Sequence, residues 1–293
     1  NNKGITNTLI LKNDTFDYLP QDMQDFESLM VKDRWIHYIC GLIIKEIKGI
    51  KFEDLDCHIK EMQYAEIFPK RRGIKKHLYF FVKLFSRFLN RSDTVFIHNP
   101  YMPRSLLLKL IFKLHSIPYL SSDTPTKMSK NINSNWRKDQ VLGGTTNNNY
   151  EAFLSRVLFQ NLPIIYLEGF TSLLNVVENQ HWQKTPTSVV TAVDHISDDI
   201  FKAYAAQKVC TGSKLKLISH GGLGRYLYCD FTYHEFDVCD DYFTWGWSEY
   251  SDKCTQGFLT KKTLNDNRQK TEDYFVHVLH DAYKHVKYLQ AVP

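Results

Sequence analysis

Paired cysteines, long apolar runs and an apolar leader are all missing from this chain, and each absence excludes something. The six cysteines, at 40, 57, 210, 229, 239 and 254, show no Cys-x-x-Cys spacing. That excludes a zinc knuckle, and in a chain this long scattered thiols point to a reducing, cytosolic setting rather than a disulfide frame. Apolar residues nowhere run uncharged for 18 positions, so no segment reads as a membrane-spanning helix. The start, Asn1-Asn2-Lys3-Gly4-Ile5, has none of the apolar character of a secretory signal. The expected location is the cytoplasm. No internal repeat is present. What remains is ample for folding: 293 residues, 43% hydrophobic and 14% aromatic, enough for one large domain or two ordinary ones and too apolar for a disordered chain.

Charge is unevenly spread. Residues 1–150 hold 23 Lys and Arg against 15 Asp and Glu, a balance of +8, whereas residues 151–293 come to −3. Much of the excess sits in Lys70-Arg71-Arg72-Gly73-Ile74-Lys75-Lys76 and continues through Lys83, Arg87 and Arg91 with no acid between 70 and 91. Such a patch meets an anionic partner. Its aromatics do not alternate with bases as on a strand-borne stacking platform, so nucleic acid is not the expected partner. Leu78, Phe81, Val82, Phe85, Phe88 and Leu89 instead recur at spacings of three and four, a helical stripe with the bases off it. That pattern fits a core-facing helix with a solvated basic back. It also fits a helix lying on an anionic membrane surface.

The rest of the chain reads as α/β. A short strand at 9–11 precedes a helix over 35–50, ended by Gly49. A strand at 93–98 stops at Asn99-Pro100, a helix over 103–115 follows with Pro103 in its first turn, and 117–120 reads as the next strand. Residues 123–150 are polar and turn-rich, a linker or loop. Helices over 151–160 and 166–178 lead to a second unit: strand 188–193, a helix opened by Asp198-Asp199 and stopped by Gly212, and strand 215–219. Two separate strand–helix–strand units predict two Rossmann-like lobes, 1–150 and 151–293.

In parallel sheets ligands bind beyond the carboxyl ends of the strands. Three such ends carry chemistry: His98-Asn99-Pro100, Asp194-His195 and His220-Gly221-Gly222-Leu223-Gly224. Glycines after a strand let backbone amides approach a phosphate or carboxylate, and a histidine there can bind the same anion or move a proton. Glycine-rich turns are also common without any ligand. Further on, Tyr233-His234-Glu235 reads either as an acid–base couple or as a surface pair on a loop. Trp245-Gly246-Trp247-Ser248 reads as a ligand wall or as plain core packing.

Taken together, His220-Gly-Gly-Leu-Gly224, Tyr233-His234-Glu235 and Asp241-Tyr-Phe-Thr-Trp245-Gly-Trp247-Ser248 resemble the signature of a bacterial family of surface-carbohydrate transferases. Its members carry a His-Gly-Gly loop, a His-Glu pair and a Thr-Trp-Gly-Trp segment in this order. Leu162-Pro163, Tyr166-Leu167-Glu168, Asp198-Asp199-Ile-Phe-Lys202 and Ala205-Ala206 are similar to the family as well, so the likeness spans about residues 150–260. The enzymes of known activity it is similar to are retaining β-Kdo transferases, of two-lobed GT-B fold, which use CMP-Kdo without a metal. The resemblance implies an acceptor-side lobe at 1–150 and a nucleotide-sugar lobe at 151–293.

It also implies roles. A carboxylate must lie near the anomeric carbon, with Asp194 the first candidate and Asp199 the second. His220 and the amides of Gly221, Gly222 and Gly224 would hold the donor's phosphate or carboxylate, and Trp245, Trp247 and Ser248 would line the donor site. His234 would act as acid or base with Glu235 orienting it. The product would be a bacterial surface polysaccharide, O-antigen or capsule, built on a glycan or lipid-linked glycan acceptor. A complete donor lobe has further strands after the Trp-Gly-Trp segment, whereas residues 261–290 read as a polar stretch and one helix, so that lobe reads as incomplete. A non-catalytic carbohydrate- or nucleotide-binding partner in a polysaccharide assembly complex is the alternative.

Overall fold

The structure is a computed structural model that describes residues 7–12, 18–47, 50–55, 93–119, 132–140, 149–180, 182–220, 232–248 and 251–257. The basic segment 70–91, the glycines after His220 and the helix expected over 271–290 lie outside the described residues. Among those described, no helix is long and apolar enough to cross a membrane. The elements fall into two compact units, each built from more than one stretch of chain.

In the first unit, β1 (Asn7–Leu11) pairs in parallel with β2 (Lys51–Leu55). Between them run α1 (Met23–Leu29) and α2 (Asp33–Glu46). Asp22 caps α1 by accepting from the Asp25 amide. A side chain at Gly41 would put its Cβ 2.9 Å from Ile10, so the missing side chain is what lets α2 sit close on β1. The helix expected to reach residue 50 ends at Glu46, where Ile47 turns extended toward β2. β2 has no apolar alternation, and all five of its residues are exposed.

The same unit holds α4 (Ser134–Asp139), α5 (Asn149–Asn161) and a 3-10 turn at Ile164–Tyr166. Arg137, wholly buried, knots them together. It donates to both Glu168 oxygens (2.7 and 2.5 Å) and to the Phe159 and Leu162 carbonyls (2.8 Å each). Burial by itself would raise the Glu168 carboxyl; the hydrogen bonds and charge of Arg137 outweigh it and hold the group below the usual carboxylate range.

The second unit is a five-stranded parallel sheet in the order β3 (Val95–His98), β4 (Ser188–Thr191), β5 (Lys214–Ile218), β6 (Asp241–Thr244), β7 (Cys254–Gln256). Side chains alternate across it. Phe96, His98, Val189, Thr191, Leu217, Tyr242 and Thr244 are buried on one face. Phe201 and Tyr204 of α8 (Asp199–Cys210) are buried with them, Tyr204 lying 4.5 Å from the Phe96 ring and Phe201 5.2 Å from His98. On the other face Val95, Ile97, Val190 and Phe243, with Leu110 of α3 (Arg104–Leu114), line a cavity of about 250 Å³. α6 (Phe170–Asn179) buries Leu173 and Val177. The strand expected over 117–120 is reduced, among the described residues, to one bridge between Tyr119 and His98. The boundary expected at residue 150 falls between β3 and β4, which are hydrogen-bonded neighbours.

Candidate active site

The sheet order locates the crevice. From β3 the chain runs through α3 to Tyr119, on one side of β3, and later returns on the other side as β4. Between β3 and β4 the winding reverses, and in open parallel sheets ligands bind at that switch point, beyond the strand ends. The residues there are His98 at the end of β3 and Asn99 just after it, and Asp194 and His195 at the start of the one-turn helix α7 (Asp194–Ser197) after β4.

With Glu235, these four form two carboxylate–histidine couples. The Nδ1–H of His98 donates to Asp194 Oδ2 at 2.5 Å, and Asn99 Nδ2 donates to Asp194 Oδ1 at 3.0 Å. His98 is wholly buried, its ring set among Phe96, Trp182 and Phe201. Asn99 adopts φ 42°, the left-handed conformation that asparagine tolerates better than most residues. The Asp194 amide donates to Thr191 Oγ1 at 3.2 Å, and its side chain is 13% exposed. The result is a carboxylate gripped from one side and open at its edge. Next to it His195 turns the other way along the sheet edge. Its Nε2–H donates to Glu235 Oε1 at 2.8 Å, and the hydroxyl of Tyr242 donates to Glu235 Oε2 at 2.8 Å.

The other expected site residues are placed as follows. Asp199 is buried in the first turn of α8, paired with Lys202 at 2.7 Å, while Asp198 caps that helix through the Phe201 amide. His234 and Glu235 do not form a couple. Both lie on α9 (Thr232–Val238), where consecutive side chains diverge by about 100°; Glu235 points inward and is 2% exposed, and His234 is exposed. His220 follows β5, half-buried. Trp247 packs on the Phe236 and Tyr242 rings, and its amide donates to Thr244 Oγ1, whose hydroxyl bonds the Trp247 carbonyl. Gly246 between the tryptophans sits at φ 109°. Ser248 accepts from Gln256. Trp247 itself is half-buried. His98, Asn99, His195 and Tyr242 join the site beyond the expected set. The first three stood at strand ends already marked as chemically loaded.

His98, Asp194 and Asp198 bring donor atoms within 4.8 Å of one another, close enough to share an ion. The histidine proton, the Asn99 amide and the Phe201 amide already satisfy atoms of all three. This arrangement supports carboxylate chemistry beside a proton carrier.

The family model described as "LIC12162 family transferase" matches residues 1–291. No curated protein and no solved structure matches the chain.

Proposed function

The chain belongs to the LIC12162 family of transferases, and on that premise we propose that the group it transfers is a sugar. The donor is a nucleotide sugar, CMP-Kdo first, used without a metal, and the acceptor is a glycan or lipid-linked glycan of a bacterial surface polysaccharide. Asp194 carries this reading: a carboxylate fixed by two donors at the switch point of a parallel sheet, with its open edge at the crevice. Retaining transfer needs such a group close to the anomeric carbon. One Asp194 oxygen bonds that carbon while the bond to the nucleotide phosphate breaks and the phosphate leaves with the electron pair. The acceptor oxygen then displaces the carboxylate and gives up its proton. His98 and Asn99 keep the carboxylate in place through both steps. His220 and the amides of Gly221, Gly222 and Gly224 receive the donor's anion in an enzyme of GT-B-like fold. Residues 70–91 attach it to anionic lipid, near lipid-linked acceptors.

The test is mass spectrometry of acceptor glycans after incubation with a panel of nucleotide sugars, run on the wild type and on Asp194→Asn. The expected result is transfer by the wild type and a loss of about 10²-fold or more in the variant. CMP binding by calorimetry stays unchanged, because the substitution touches transfer and not anchoring. No transfer from any donor, or near-normal turnover in the variant, sinks the proposal.

A further inference from the structure

We propose that His195 is the base that takes the proton from the acceptor hydroxyl, and that Glu235 and Tyr242 are positioning residues that act through it. This rests on the sugar-transfer reading above and adds to it a residue outside the expected site. Three observations converge on it.

First, Glu235 is 2% exposed, and both of its oxygens are satisfied, one by the Tyr242 hydroxyl and one by His195 Nε2, at 2.8 Å each. A buried carboxylate is costly unless it is hydrogen-bonded and paired. Here its partners make it a rigid bracket for one imidazole ring.

Second, the bond to Glu235 assigns the ring hydrogen to Nε2, so Nδ1 carries a lone pair. That Nδ1 is buried and has no hydrogen-bond partner among the described residues. Buried polar atoms are nearly always paired, and an unpaired one needs a reason. A basic nitrogen kept vacant for a substrate proton is such a reason. When Nδ1 accepts the proton, Glu235 stabilises the resulting imidazolium across the ring, the arrangement by which a carboxylate supports a histidine base in acyl transfer.

Third, His195 and Asp194 open α7 together at the strand end where the nucleophile is placed. Their side chains are held apart, Asp194 by His98 of β3 and His195 by Glu235 beside Tyr242 of β6, so the acceptor sits between them. In the second half of the reaction the acceptor O–H bond breaks and the proton goes to Nδ1. The oxygen forms its bond to the anomeric carbon, and the Asp194–sugar bond breaks, returning the electron pair to the carboxylate. His234 is exposed and has no such bracket among the described residues.

The experiment measures kcat, donor KM and intact protein mass for the wild type, Asp194→Asn, His195→Ala, Glu235→Gln and Tyr242→Phe with the donor that supports transfer. In His195→Ala the expected kcat falls about 10²- to 10⁴-fold, while kcat/KM for the donor stays within threefold because only the second step is slowed. Because the first displacement needs no base, this variant accumulates a glycosyl–enzyme adduct that Asp194→Asn cannot form. Added imidazole restores part of its turnover. Glu235→Gln shows the same split with a smaller loss, and serves in place of His195→Ala if that variant does not fold. Tyr242→Phe loses about tenfold. Turnover within threefold of wild type in His195→Ala, beside a dead Asp194→Asn, overturns this inference and leaves sugar transfer standing. So does parallel loss of kcat and donor binding with no adduct. A wild type inert toward every nucleotide sugar overturns both.

Discussion

Glu168→Gln removes a charge and almost no volume from the buried knot in the first unit, and its cost follows from the geometry. Arg137 is wholly buried and directs two donors at Glu168, at 2.7 and 2.5 Å, and one nitrogen at two carbonyls. Glutamine offers one acceptor oxygen where glutamate offers two. Its NH₂ would face a guanidinium N–H, donor against donor, and the arginine charge would stay buried without a counter-ion. Removing one partner of a buried pair costs about 3–5 kcal/mol. Glu168 is 13% exposed, so water screens part of this, and about 3 kcal/mol is expected, a large share of a typical net stability of about 5–15 kcal/mol. At about 2–4 °C per kcal/mol for chains of this order, the melting midpoint should fall by about 6–12 °C at pH 7.

The pH dependence has a definite sign. The folded-state Glu168 carboxyl lies below its ordinary value of 4.5, so the unfolded chain binds that proton more readily. Its contribution is present above the unfolded value and is lost as pH falls through the folded one. Calorimetric melts of wild type and variant should therefore differ most near neutrality and converge as the pH drops below about 4.5. A variant melting within 2 °C of wild type at pH 7, or a gap that widens in acid, would refute the reasoning.

Two other outcomes can be checked directly. Burial pushes the Cys239 thiol up to about 11, against a smaller opposing pull from Lys253, so iodoacetamide at pH 8 should label the exposed Cys40 and Cys210 and reach Cys239 only after unfolding. Peptide mapping that finds Cys239 modified as fast as Cys210 in the native protein rejects that. Changing Lys75, Lys76, Lys83 and Arg87 to Gln should weaken flotation with anionic liposomes, at about 1 kcal/mol per basic side chain near such a surface; unchanged flotation leaves the core-facing helix as the reading of 70–91.

Local pattern was legible in the sequence wherever an element buries its own face. The run Ser188-Val-Val-Thr191 and the run Leu215-Lys-Leu-Ile218 are strands, and they pair in parallel as their strand–helix–strand spacing implied. Asp198 begins the intervening helix with its side chain on the Phe201 amide, because a carboxylate there satisfies an otherwise orphaned N–H. Asp194 stood at a strand end, and strand ends are where parallel sheets place chemistry. β2 was not legible: Lys51–Leu55 is exposed throughout and owes its strand to pairing with β1, which no periodicity reports.

The partnerships inside the site were decided by tertiary structure. The His98–Asp194 bond spans 96 residues and exists because β3 and β4 lie side by side, a matter of strand order that neither strand's own pattern encodes. The His-Glu pair read as one unit along the chain. Once residues 232–238 are helical, however, its two members point apart, and Glu235 meets a histidine 40 positions earlier. Sequence determines which face of an element is apolar and where a helix or strand can begin. Which carboxylate meets which imidazole depends on how the strands are ordered and how a helix is turned, because a hydrogen bond needs two groups within about 3 Å, and packing across the whole sheet sets that distance.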